Sequence, residues 1–198
     1  TTLFRSGYLT GRATLIPLET YIAWEGDSIV ASTSPIGYPI VTATLSPIKQ
    51  GRTFAVAGSQ MADLNSRAAG LNATFVTGGN NILFVGDGHN DLVSGSAATF
   101  VFNLKAYCMA FRTAGWKVVV ATVLPSTVAG FNTKRNDANA AIVADPSFYD
   151  ALARFDLEST MGPDAAASNA TYYGDGTHPT AAGHALLATV AKAAIDSV

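Results

Sequence analysis

Two short turns hold the residues of this chain best suited to nucleophilic chemistry. Ser28 follows Gly26-Asp27 at the end of the apolar run Tyr21-Ile22-Ala23-Trp24, where its hydroxyl can project and its N–H can face a carbonyl group. The second turn is Asp175-Gly176-Thr177-His178-Pro179. A carboxylate three residues ahead of an imidazole can fold back within one turn, accept the Nδ1 proton and leave Nε2 to take a proton from a serine. Acyl transfer also needs donors aimed at the developing oxyanion. Gly58, behind the run Thr53-Phe54-Ala55-Val56-Ala57, can present an unobstructed N–H, and the Asn90 amide can donate to the same oxygen. Each feature taken alone has an ordinary reading. Gly-Asp-Ser makes turns and helix caps, Asp-Gly before Pro makes a turn and a helix start, and Asn in a loop bonds local backbone.

Other candidates carry less. His89, beside Asn90, is a candidate for the wall of a substrate pocket, with a solvated loop position as the alternative. Tyr172 and Tyr173 could stack on a sugar or acyl group or simply pack their loop. His184 falls inside the last helical segment, at a surface or half-buried position, and Lys134-Arg135 reads as a solvated helix start. Asp27, Asp87 and Asp91 crowd the turns, but calcium-loop spacing and His-Glu-x-x-His are both missing, so no metal is expected and capping roles suffice. Gly86-Asp87-Gly88 has Asp91 where a dinucleotide fingerprint needs its third glycine, so no cofactor is expected. No Gly-x-Ser-x-Gly elbow is present. The single cysteine, Cys108, excludes an intrachain disulfide and sits in an apolar helical pattern as a buried, inert thiol.

The elements that must position these residues follow from periodicity. Tyr21–Trp24, Thr53–Ala57 and Ile82–Val85 are short apolar runs that each end at a glycine, and Lys117–Leu124 stops at Pro125. All four read as buried strands, the last as the central one. Helical spacing covers Gln60 to Ala69, Ala97 to Ala114, Asn136 to Ala144 and Thr180 to Ser197. Strands that alternate with helices predict an α/β fold, a parallel sheet covered on both faces. Its ligand site lies beyond the carboxyl ends of the strands, where the strand order reverses. Residues 125–135 and 159–177 read as long loops on that rim, and 1–20 as a polar lead-in arm to a domain spanning 21–198.

Gly26-Asp27-Ser28-Ile29, Gly58, Gly88-His89-Asn90-Asp91 and Asp175-Gly176-Thr177-His178-Pro179 together resemble the SGNH (GDSL-type) hydrolase family, in its order and places, from about residue 21 to the end. The resemblance implies a three-layer α/β/α, flavodoxin-like fold with about five strands. It implies Ser28 as nucleophile, Asp175 and His178 as its partners, and an oxyanion hole made by the N–H groups of Ser28 and Gly58 and the Asn90 amide. Ile29 stands where the motif's short name has Leu, the upstream Asn often seen before Gly58 is missing, and His89 replaces a frequent small residue. Glu25, at the end of a buried strand, has no account from the sequence.

Composition narrows the partners. Apolar residues make up 48% and charged residues 13%, with a net charge of −2 and no basic stripe interleaved with aromatics, which argues against nucleic acid. No stretch of about eighteen apolar residues reads as a membrane span. The chain opens at Thr1 with no secretory pattern, which reads as a processed or excised sequence, and an extracellular setting is slightly favoured. The expected activity is hydrolysis of short-chain or acetyl esters, with a small-molecule or glycan ester as substrate. A thioesterase, lysophospholipase or acyltransferase using the same residues, or a non-catalytic glycan-binding or structural module of a larger protein, are the alternatives.

Overall fold

A computed structural model describes residues 20–31 and 50–198 of the chain. Five parallel strands form its sheet: β1 (Thr20–Gly26), β2 (Gln50–Thr53), β3 (Asn80–Gly86), β4 (Lys117–Ala121) and β5 (Ala151–Ala153), in the order β2-β1-β3-β4-β5. The helices are α1 (Met61–Asn72), α2 (His89–Ser94), α3 (Ala97–Thr113), α4 (Phe131–Ala144) and α5 (Ala181–Ile195). The sequence runs from β1 out to the β2 edge and back to β3 on the other side of β1, so the order reverses between β1 and β3. That reversal opens a crevice at the strands' carboxyl ends.

The period of two along each strand divides the core. Ala23, Leu83, Val85, Val118 and Val120 pack under α1 to α4, against Met61, Leu64, Phe100, Leu104, Tyr107 and Ile142. Ile22, Trp24, Ile82, Phe84 and Val119 face the opposite way, onto Leu187, Ala188 and Ala191 of α5 together with Phe155 and Met161. The result is three layers, α/β/α. Small residues let α5 lie close. A Cβ on Gly183 would come within 2.5 Å of the Tyr172 carbonyl oxygen and 2.9 Å of Met161 Cε.

Several boundaries differ from those the sequence predicts. β3, and not β4, is central, because a fifth strand of only three residues pairs with β4's outer side. The second strand pairs through Gln50–Thr53, earlier than the apolar run Thr53–Ala57. That run still extends the ladder, with Phe54 N–H donating to Trp24 O at 2.7 Å and Val56 N–H to Gly26 O at 3.1 Å. The stretch from His89 is a short helix and not a loop, and α4 begins at Phe131, ahead of Asn136. The lead-in arm, 1–19 of the predicted 1–20, lies outside the described residues. Among the described residues, no helix is long and apolar enough to cross a membrane.

Candidate active site

The three glycine-containing turns meet on one rim because β1, β2 and β3 are neighbours and run the same way. Gly26 and Gly86 are paired in register at the ends of β1 and β3. A Cβ on Gly26 would lie 2.1 Å from the Gly86 carbonyl oxygen, and its φ of +151° is rarely adopted by other residues, so glycine is what lets β1 turn against β3. Past that turn, Ile29 N–H donates to Asp27 Oδ1 at 2.9 Å and Ala31 N–H to Asp27 O at 2.9 Å. This side-chain turn leaves Ser28 N–H without an acceptor among the described residues.

Ser28 Oγ lies 2.8 Å from His178 Nε2, across 150 positions of sequence, and His178 Nδ1 lies 2.7 Å from Asp175 Oδ2. The other carboxylate oxygen, Oδ1, accepts the backbone N–H of His178 at 2.8 Å and of Thr177 at 3.0 Å. Those bonds, led by the His178 amide and then its ring, hold the Asp175 carboxyl down to about 2. Asp175 is therefore anionic wherever the imidazole can work as a base. An Nδ1–H donated to a fixed carboxylate leaves Nε2 as the acceptor that faces the serine.

The loop carrying this pair is tied down from several sides. Gly174 N–H donates to His178 O at 2.8 Å and Thr180 N–H to Tyr172 O at 2.8 Å, closing a small hairpin. Thr127 N–H donates to Gly176 O at 2.9 Å, and the Ser126 and Thr177 hydroxyls lie 2.8 Å apart. The stretch after β4 is in turn held by α4, where Asn139 bonds both the N–H and the carbonyl of Val123, Asn132 accepts from Ser126 N–H, and Arg135 donates to Val123 O and Gly162 O. Arg135 is buried and also pairs with Asp164 at 2.8 Å, so the solvated helix start read from the sequence is corrected. Of the three α4 residues, sequence reasoning named only Arg135, and gave it no role at the site. They act on backbone groups six to twenty-seven positions away, which no motif spacing encodes.

Gly58 has a φ of +82° and nothing within 4 Å of where a Cβ would stand, and its N–H has no acceptor among the described residues. Asn90, in the first turn of α2, donates one amide hydrogen to Ser59 O at 3.0 Å, which aims the side chain at the Gly58 turn and leaves the second hydrogen available. His89 stacks on Phe131 with ring centroids 4.7 Å apart, is half-buried, and has its basicity lowered first by burial and then by the His178 charge. It stays beside the site. Tyr173 does not: it is buried, and its hydroxyl donates to Met161 O at 2.7 Å, so it anchors the loop in the core and offers a substrate no surface. Tyr172 is half-buried and packs along the same core. His184 is buried in α5, with burial and then His178 lowering it to about 4.

Beneath the rim sits a group of carboxyls. Glu25 is fully buried and explained by Arg67, whose guanidinium bonds it at 2.8 Å from α1. Burial pushes Asp27 up to about 6. Asp87 lines, with Asp27, Ile29, His89 and Thr122, a cavity of about 20 Å³, room for a single water. Neither of its buried oxygens has a hydrogen-bond partner. Burial first, then the charges of Asp27, Asp91 and Glu25, raise it well above the usual carboxylate range. The capping role read for it from the sequence is not what it does.

A profile of the GDSL-like lipase/acylhydrolase family matches residues 26–186, which span the Ser28 turn, Gly58, the Asn90 helix and the Asp175–His178 loop. The chain belongs to this family. Solved structures with the same fold include a lipolytic protein of the G-D-S-L family from Veillonella parvula, 15% identical, with a TM-score of 0.73 over 90% of this chain and 100% of that one. TesA is 19% identical, with a TM-score of 0.71 over 88% of this chain and 97% of that one. An acetylxylan esterase from Geobacillus stearothermophilus is 15% identical, with a TM-score of 0.70 over 91% of this chain and 95% of that one. Compared with curated protein sequences, the chain matches none. The family is one of lipases and acylhydrolases.

Proposed function

We propose that the protein is a serine esterase that hydrolyses short-chain or acetyl esters, with O-acetylated carbohydrate as the leading substrate class, through an acyl-enzyme. The observation that carries this reading is the continuous contact from Ser28 Oγ to His178 Nε2 at 2.8 Å and from His178 Nδ1 to Asp175 Oδ2 at 2.7 Å. Ser28 Oγ attacks the ester carbonyl as His178 Nε2 takes its proton, and Asp175 holds the imidazolium. The N–H groups of Ser28 and Gly58 and the Asn90 amide receive the oxyanion. Collapse expels the alcohol, protonated by His178. Water then attacks the acyl-serine, giving its proton to the same nitrogen, and the carboxylic acid leaves with Ser28 restored.

The side chains of His178 and Asp175 are 47% and 59% exposed, so the described residues leave the alcohol side open to a bulky group such as a sugar. The fold shared with an acetylxylan esterase agrees with a small acyl group. Hydrolysis of p-nitrophenyl esters from acetate to octanoate tests the reading. The wild type should favour the shortest, and Ser28→Ala should lose turnover by roughly a thousandfold or more. Equal rates for the two proteins would overturn it, and the matching thioester series separates an esterase from a thioesterase.

A further inference from the structure

A carboxylate that acyl-transfer chemistry does not use, that of Asp91, is placed where it joins two of the three oxyanion donors to each other. The carboxylate of Asp27, just ahead of Ser28, accepts Ile29 N–H within the nucleophile turn. Asp91 follows Asn90, and its carboxylate accepts Met61 N–H at 3.1 Å and 3.3 Å, from the first residue of α1, three positions past Gly58. The Gln60 side chain reaches back to the Asn90 carbonyl at 3.5 Å and to Ser94 Oγ at 3.1 Å. The side chains of Asp91 and Gln60 therefore tie the segment that carries Asn90 to the segment that carries Gly58.

We propose that Asp91 is a positioning residue of the oxyanion hole, fixing the spacing of the Asn90 and Gly58 donors through its bond to the backbone of the segment that carries Gly58. The inference rests on the esterase reading. Donors aimed at an oxyanion act only if held to a fraction of an ångström, because a misplacement of about 1 Å costs on the order of a hundredfold in rate. Asp91 spends both oxygens on one N–H, so a single amide oxygen can take their place.

That replacement supplies the test, read on p-nitrophenyl acetate with melting temperature followed in parallel. Asp91→Ala should lower kcat about tenfold or more with KM changed less than about twofold, and Asp91→Asn should restore kcat to within about threefold. In an Asn90→Ala background the Asp91→Ala loss should shrink, because the donor it positions is gone. Losses that multiply independently of Asn90, or an unchanged kcat in a folded Asp91→Ala protein, would overturn the proposal. Ser28→Ala is the control: if it keeps wild-type activity, the esterase reading fails. If it is inactive while Asp91→Ala is not impaired, only the positioning role fails.

Discussion

Asp87 is the residue whose surroundings fit its charge least. Neither of its buried oxygens has a hydrogen-bond partner, it shares a water-sized space with Asp27, and burial together with the charges of Asp27, Asp91 and Glu25 raises its pKa. A carboxyl placed so holds its proton. Its native pKa lies above the unfolded value, so the folded state binds the extra proton, and stability from this group is present in acid and lost as pH rises past the ordinary carboxylate range. Asp87→Asn copies the protonated form and removes the dependence. Thermal melts should show the variant gaining on the wild type as pH is raised from 4 to 8, and a constant difference across that range would contradict the assignment. The logic is reversed at Asp175, where the pKa near 2 adds stability above the unfolded value that is lost only as pH falls through the native one.

Elements here are set by packing as much as by propensity, and α5 shows it. Replacing glycine by alanine inside a helix ordinarily stabilises by up to about 1 kcal/mol. At Gly183 the added methyl would meet the Tyr172 carbonyl, Met161 and Pro179, all within 3.1 Å. Gly183→Ala should therefore destabilise by about 1–3 kcal/mol, measured by urea unfolding. Because Tyr172 belongs to the hairpin that carries His178, activity should fall with it. The sequence shows which elements exist where burial is two-sided. β1, β3 and β4 are apolar runs cut off by glycine or proline, and they were legible for that reason. β2 is an edge strand with one partner, so its pairing residues Gln50-Gly51-Arg52-Thr53 need not be apolar, and the apolar stretch beside them misplaces it. β5 is three residues long, below any usable period, and α2 is six residues of mostly polar helix begun by Gly88. Asp175 and His178 were readable because their contact is local. For Tyr172 and Tyr173 the sequence leaves stacking and loop packing both open, because nothing in it says which ring turns inward.

The described residues form one sheet shared by two cores, and the two tryptophans fall one to each face. Trp24 packs with Ile82, Phe84 and α5, and Trp116 with Phe111 and Phe75 on the other side, its indole N–H donating to Asn72 Oδ1 at 2.9 Å. Neighbouring residues of the same strands supply both cores, so neither can dissolve without the other. Trp24→Phe and Trp116→Phe should each unfold in a single fluorescence transition that coincides with loss of helical circular dichroism. Separate midpoints for the two probes would show independent halves. The same architecture orders events in time. The Asp175–His178 turn closes on itself through bonds spanning two or three residues, whereas Ser28 reaches it only once β1 is paired into the sheet and α5 has docked on one of its faces. On the esterase reading, refolding should therefore regain turnover with that tertiary contact, later than the first spectroscopic signs of secondary structure.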